Sequence, residues 1–227
     1  FGGALKQNAS SETMGDGATR TTRRNDFREL IRYLSQNSSL LVVFLIAAIL
    51  NLALVGLTIG APVIVAKHLG MQSSFVGIIE VAMGLGGLVG SGLVGIWPHR
   101  FSFKGICRYV AMICFGVVPI IVTLLSGPNE FAFAALAAGS AWVMAWASIT
   151  SVEIVSFVQR SAPKELCGKV LALVYMMLSC ATPIGQLVYG LAYDRWTPAI
   201  VFAGMLAVLA LTTALFYRLK SRLWRLS

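Results

Sequence analysis

The chain has 227 residues, 57% of them hydrophobic and only 12% charged, with a mean hydropathy of +0.80. A soluble domain carries about 25% charged residues, so the composition excludes an ordinary soluble protein and points to the membrane. The net charge of +9 does not mark a nucleic-acid binder, because Lys and Arg sit in tails and short loops between apolar runs and build no polar domain.

Residues 1–38 are polar and read as a cytoplasmic linker, flexible in its Gly-, Ser- and Thr-rich first part. Phe27, Leu30, Ile31 and Leu34 then fall at helical spacing, with Arg28 and Arg32 on the other side. This is the pattern of a short amphipathic helix on the membrane surface or of a plain solvated linker. The first residue is Phe1 and not Met, and no signal peptide is recognisable, so the chain is read as beginning inside a longer one.

Six apolar runs follow, near 40–66, 74–97, 106–126, 131–158, 171–193 and 198–217. Each is about the 20 residues that a helix needs to cross a bilayer. The fold class expected is an all-α membrane protein with a six-transmembrane-helix bundle over residues 39–220 and a short basic tail over 221–227. The breaks carry loop chemistry: Lys67 to Gly70, Pro98 to Arg100, Gly127 to Asn129, Arg160 to Gly168, and Asp194 to Pro198. With both termini on one side, that side holds every Lys and Arg of the 18 except Lys67 and Arg195. The positive-inside rule therefore predicts a multi-pass protein of the cytoplasmic membrane with both termini in the cytoplasm.

The second run holds one acid, Glu80, among apolar side chains and glycines. On a helical wheel Gly77, Gly84, Gly87 and Ser91 lie within about 60° of it. An ionisable residue at membrane depth costs roughly 2.5–3.5 kcal/mol on insertion scales. Glu80 is therefore expected to face the bundle or a water-filled cavity, where a carboxylate that gains and loses a proton suits a proton-coupled carrier. The alternative is an acid fixed by one hydrogen bond to a neighbouring helix. Gly86 and Gly90 form a small-xxx-small pair on an adjacent face, suited to close helix packing.

The fourth run holds Glu153, with Trp142, Trp146 and Ile149 on the same stripe. Two indoles and a carboxylate can bind a flat, apolar or cationic molecule. They can equally be packing aromatics beside an acid paired with Arg160. Asn51 and Thr58 share a face of the first run, and Gln186 and Tyr189 a face of the fifth. These four and the two tryptophans are the candidate substrate-cavity residues, and Glu80 and Glu153 the candidate proton-coupling residues. Pro62, Pro119 and Pro183 are expected to kink their helices. Cys107, Cys114, Cys167 and Cys180 make no CxxC pair and read as small buried apolar residues. His68 and His99 lie in separate loops. With no metal-ligand cluster, nucleotide loop or catalytic triad pattern, neither a cofactor nor an enzymatic activity is expected.

The segment Gln159–Arg160–Ser161–Ala162–Pro163–Lys164–Glu165–Leu166–Cys167–Gly168–Lys169–Val170 resembles the loop between helices ten and eleven of major facilitator superfamily exporters. Its marks are Gln159, Pro163, Gly168 and Lys169, the last replacing the usual Arg. Thr182–Pro183–Ile184–Gly185 looks like the proline-glycine kink of helix eleven. Gly77 to Ala82, followed by Gly84 to Gly87, resembles helix eight of the macrolide-efflux and siderophore-exporter branch. Gly95 to Lys104 keeps the basic character of the family's loop after helix eight but lacks its acid. The resemblance implies a linker followed by the C-terminal half of a twelve-helix carrier, built as 3+3 inverted repeats. It implies a secondary active, proton-coupled exporter of hydrophobic or amphipathic small molecules. The partners implied are the lipid bilayer, the substrate, protons, and an upstream six-helix half or a second copy. The competing reading is a half-size membrane protein that does not transport: a sensor, an assembly factor or a truncated carrier.

Overall fold

The computed structural model describes residues 38–125 and 130–223. The linker and its amphipathic pattern, the break at Gly127–Asn129 and the last four residues of the tail lie outside them. Six long helices make up the described fold: α1 Ser38–Val63, α2 Ser73–Ile96, α3 Ile106–Leu125, α4 Glu130–Ser161, α5 Lys164–Arg195 and α6 Pro198–Leu223. All six are long and apolar enough to cross a membrane. No strand occurs among the described residues.

The connections follow from local chemistry. Pro62 lies in the last turn of α1, and the chain continues as a π-helical turn over Ile64–His68, where the Leu69 amide reaches back to the Ile64 carbonyl at 2.8 Å. Gly70 then takes φ +63, a conformation that disfavours any Cβ, and releases the chain into α2. Between α2 and α3 run two single 3-10 turns, Pro98–Arg100 and Phe103–Gly105. The connection from α4 to α5 is shorter than the sequence suggests. Only Ala162 and Pro163 interrupt the helices, because the Pro163 carbonyl accepts from the Leu166 and Cys167 amides at 3.0 and 2.9 Å and starts α5 at once. Lys164 to Val170, read as loop and lead-in, is helical. Likewise α6 extends to Leu223.

The most extensive pairings are α2 with α4, α3 with α4, and α1 with α5, followed by α3 with α6 and α1 with α6. Exchanging α1 with α4, α2 with α5 and α3 with α6 maps this set onto itself. Because α1 and α4 run in opposite directions through the bundle, this is the pattern of two three-helix units of inverted topology. The core is apolar and continuous, with Leu57, Ile64, Ile113, Ile120, Leu136 and Phe202 sealed within it. By contrast α2 and α5 are the least buried of the six spans. The cysteines are less enclosed than expected: Cys107, Cys114 and Cys167 are half-buried and Cys180 is exposed, because the outer side of α5 has no neighbour among the described residues.

Candidate functional site

Asn51 stands midway along α1 and turns toward α5. Its side-chain amide donates to the Leu178 carbonyl at 3.0 Å and to Thr182 Oγ1 at 3.3 Å. Thr182 in turn donates to the same carbonyl at 3.1 Å. These groups precede Pro183, whose ring removes one backbone donor from α5. Further along, the Tyr193 hydroxyl donates to the Gly56 carbonyl at 3.0 Å, and the rings of Tyr189 and Tyr193 lie so close over Gly56 and Gly60 that neither glycine has room for a Cβ. At the last turn of α5, Lys67 Nζ from the π-helical turn meets Asp194 Oδ1 at 3.3 Å. The two helices are thus joined at three levels.

Beside this seam a groove opens between α1, α4 and α5, with Ile113 of α3 at its base. It encloses about 530 Å³ of open space, mouth included. Asn51, Thr150, Ser151 and Tyr175 are its polar lining, and the remaining walls are aliphatic. Thr150 spends its hydroxyl on the Trp146 carbonyl at 2.7 Å, while Ser151 and Tyr175 are exposed. Among the described residues no charged side chain lines the groove. Of the six residues that the sequence offers for a cavity, Asn51 alone lines it. Tyr189 is half-buried in the α1–α5 seam, and Thr58 and Gln186 are exposed, Thr58 bonding back to Val55 of its own turn. Ser151 and Tyr175 escaped sequence reading because each is a single polar residue with no patterned partner.

The indoles of α4 point another way. Trp142 Nε1 donates to the Met112 carbonyl of α3 at 2.9 Å, and Trp146 stacks on Tyr109 with ring centroids 5.9 Å apart. Both therefore pack against α3 and neither lines the groove. Glu153, on the same stripe, is buried, with Arg160 the cation beside it at 3.9 Å. Its Oε2 has no hydrogen bond among the described residues.

Glu80 lies on the exposed side of α2. The buried stripe of α2 is Ile79, Met83, Gly86, Gly90 and Val94, at helical spacing. Through it α2 meets α4: a Cβ on Gly86 would strike the Ala141 backbone, and one on Gly90 the Ala145 backbone. The Glu80 face is turned outward, and around Gly77, Gly84 and Gly87 a Cβ would meet nothing within 4 Å. Glu80 does not face the six-helix bundle, because the narrow Gly86–Gly90 surface and not the wider glycine face makes the contact with α4. Ser91 on that face returns its hydroxyl to its own helix, to Gly87 and Leu88 at 3.0 and 3.1 Å. At the far end of the bundle Gln159 closes α4, Pro163 caps α5, and Gly168 and Lys169 occupy its first turns.

The family model described as transmembrane secretion effector, of major facilitator type, matches residues 9–226. No curated protein and no solved structure matches the chain.

Proposed function

The chain belongs to the transmembrane secretion effector family, and from that premise we propose that it is the C-terminal half of a proton-coupled exporter of hydrophobic or amphipathic small molecules. Membership makes it a multi-pass membrane protein of transporter type. The distribution of Lys and Arg supports the cytoplasmic membrane, with both termini in the cytoplasm.

The observation that carries the reading is Glu80. A carboxylate seven residues into a spanning helix stands about 10 Å from its start. It stands on a glycine face with nothing packed on it among the described residues. Facing lipid there would cost a few kcal/mol, and a bare glycine surface invites another helix to approach. Both are resolved when an upstream six-helix half, or a second copy, covers α2 and α5 and leaves a watered cavity between the halves. The groove beside Asn51 then offers the substrate an aliphatic surface with scattered uncharged polar groups. Rocking of the halves alternates access, and Glu80 carries the proton.

The test is accumulation of a panel of hydrophobic compounds in cells producing the complete protein, with and without a protonophore. Wild type lowers accumulation and the protonophore reverses it. Glu80→Gln abolishes the protonophore-sensitive part. Efflux that persists in Glu80→Gln with unchanged pH dependence overturns the role of this acid.

A further inference from the structure

Asn51 is held in one orientation. Its Nδ2 donates to the Leu178 carbonyl at 3.0 Å and to Thr182 Oγ1 at 3.3 Å, which uses both of its hydrogens. Thr182 spends its own proton on the same carbonyl at 3.1 Å, so toward Asn51 its oxygen can only accept. An amide turned over would set Oδ1 against the Leu178 carbonyl, oxygen to oxygen. The nitrogen end is therefore fixed on α5. What Asn51 has left to offer is Oδ1, an acceptor with no hydrogen bond among the described residues.

The groove that Asn51 lines has two more groups with hydrogen-bonding capacity to spare. Ser151 stands on α4 and Tyr175 on α5, one turn before Leu178. Neither hydroxyl is bonded among the described residues, and each can turn to donate or to accept. The rest of the lining is aliphatic apart from Thr150, whose proton is spent on the Trp146 carbonyl. The acid next along α4, Glu153, is not part of the lining. An occupant is chosen by this set. A cation would leave water with no carboxylate to meet it, a cost that hydrocarbon does not repay. An ether of the same shape would cover Oδ1 without giving it a hydrogen, and a covered acceptor left unpaired is penalised. A neutral molecule with a hydroxyl or an amide N–H avoids both. Its body displaces water from the aliphatic walls, and its proton pairs Oδ1.

We infer that the groove between α1, α4 and α5 selects neutral molecules that donate a hydrogen bond, such as phenols, alcohols and amides, and that Asn51 Oδ1 is the acceptor that selects them. This narrows the substrate class at the groove already proposed for the substrate and rests on that reading. Ser151 and Tyr175 serve a second polar group on the same molecule, in either sense.

The test uses the complete protein in phosphatidylcholine nanodiscs at neutral pH, with naphthol, its methyl ether and the cation naphthylmethylammonium as probes on one ring system. Equilibrium dialysis reads binding above that of empty nanodiscs. Wild type binds naphthol about tenfold more tightly than the ether, the worth of one hydrogen bond and the unpaired acceptor it prevents, and binds the ammonium least. Asn51→Leu keeps the ether and brings the ratio of naphthol to ether close to one. Circular dichroism identifies a variant that fails to fold, and the wild-type ratio stands without it. Equal binding of naphthol and ether by wild type, tightest binding of the ammonium, or a preference that survives in folded Asn51→Leu overturns the inference. So does a parallel loss of both neutral probes in that variant, which a merely structural Asn51 would give. The inference and the exporter reading fail separately. Cells that export naphthol through a protein without the binding preference keep the exporter and lose the selection, and the preference without export does the reverse.

Discussion

At the residue scale the sharpest contrast is between the two acids. Glu153 is enclosed, and the guanidinium 3.9 Å from its carboxylate belongs to an Arg160 whose side chain is 70% exposed. Removing the cation leaves a buried acid uncompensated, whereas removing both is close to neutral. Arg160→Gln is therefore expected to cost about 1–2 kcal/mol, less than the ~3–5 of a fully buried pair because solvent screens Arg160. Adding Glu153→Gln to it should restore stability, as read by thermal unfolding in detergent. A double variant no more stable than Arg160→Gln would mean that Glu153 is compensated elsewhere. The sequence put Glu153, Trp142 and Trp146 on one stripe, which is correct as an angle. An angle does not say which neighbour the stripe meets, and α3 met it. Glu80 was legible as the odd residue of α2, but which of two adjoining glycine faces would dock was not. Gly86 and Gly90 won because Ala141 and Ala145 of α4 repeat at the same four-residue interval.

At the element scale the six spans were legible because apolar length decides them, and the short breaks at Gly70 and Pro98 were legible from residue chemistry. The start of α5 was missed because Pro163 and Gly168 read together as loop, although Pro163 is well placed to begin a helix and Gly168 has open space around it. Pairing was not legible from hydropathy at all, since every face of an apolar helix looks alike to that scale. Small residues carry the pairing instead. Gly86→Val and Gly90→Val should each prevent α2 from seating on α4, giving aggregated or degraded protein by size-exclusion chromatography. Gly84→Val, at the middle of the same helix on its outer side, should give a monodisperse peak, because among the described residues nothing lies within 4 Å of a Cβ added there. Equal tolerance of all three would refute the close α2–α4 contact. The α1–α5 pair behaves as one strut by the same logic, held by Asn51 before Pro183, by Tyr193 on Gly56 beyond it, and by Lys67 with Asp194 at the end.

At the scale of the whole molecule, the most exposed helices, α2 and α5, are the ones that the exchange of three-helix units turns into each other. One exposed helix would be an accident of packing, whereas two related by the internal symmetry fit the docking surface proposed for an upstream half or a second copy. Both helices expose large apolar side chains, among them Leu88 on α2 and Ile184 and Leu187 on α5. Glu80 stands on the exposed side of α2, so the proposed coupling site borders the proposed contact between halves. A photoreactive residue in place of Gly84, activated in native membranes, is therefore expected to capture protein. The adduct will be a loop closed within a longer polypeptide if an upstream half covers the face. It will be a band at twice the monomer mass if a second copy does. Capture of lipid alone would remove the reason for placing Glu80 in a cavity, and with it the proton-coupled reading. A Gly84→Val variant that folds but no longer exports would complete the case, since the described residues leave that position open and a partner across that surface would feel the change.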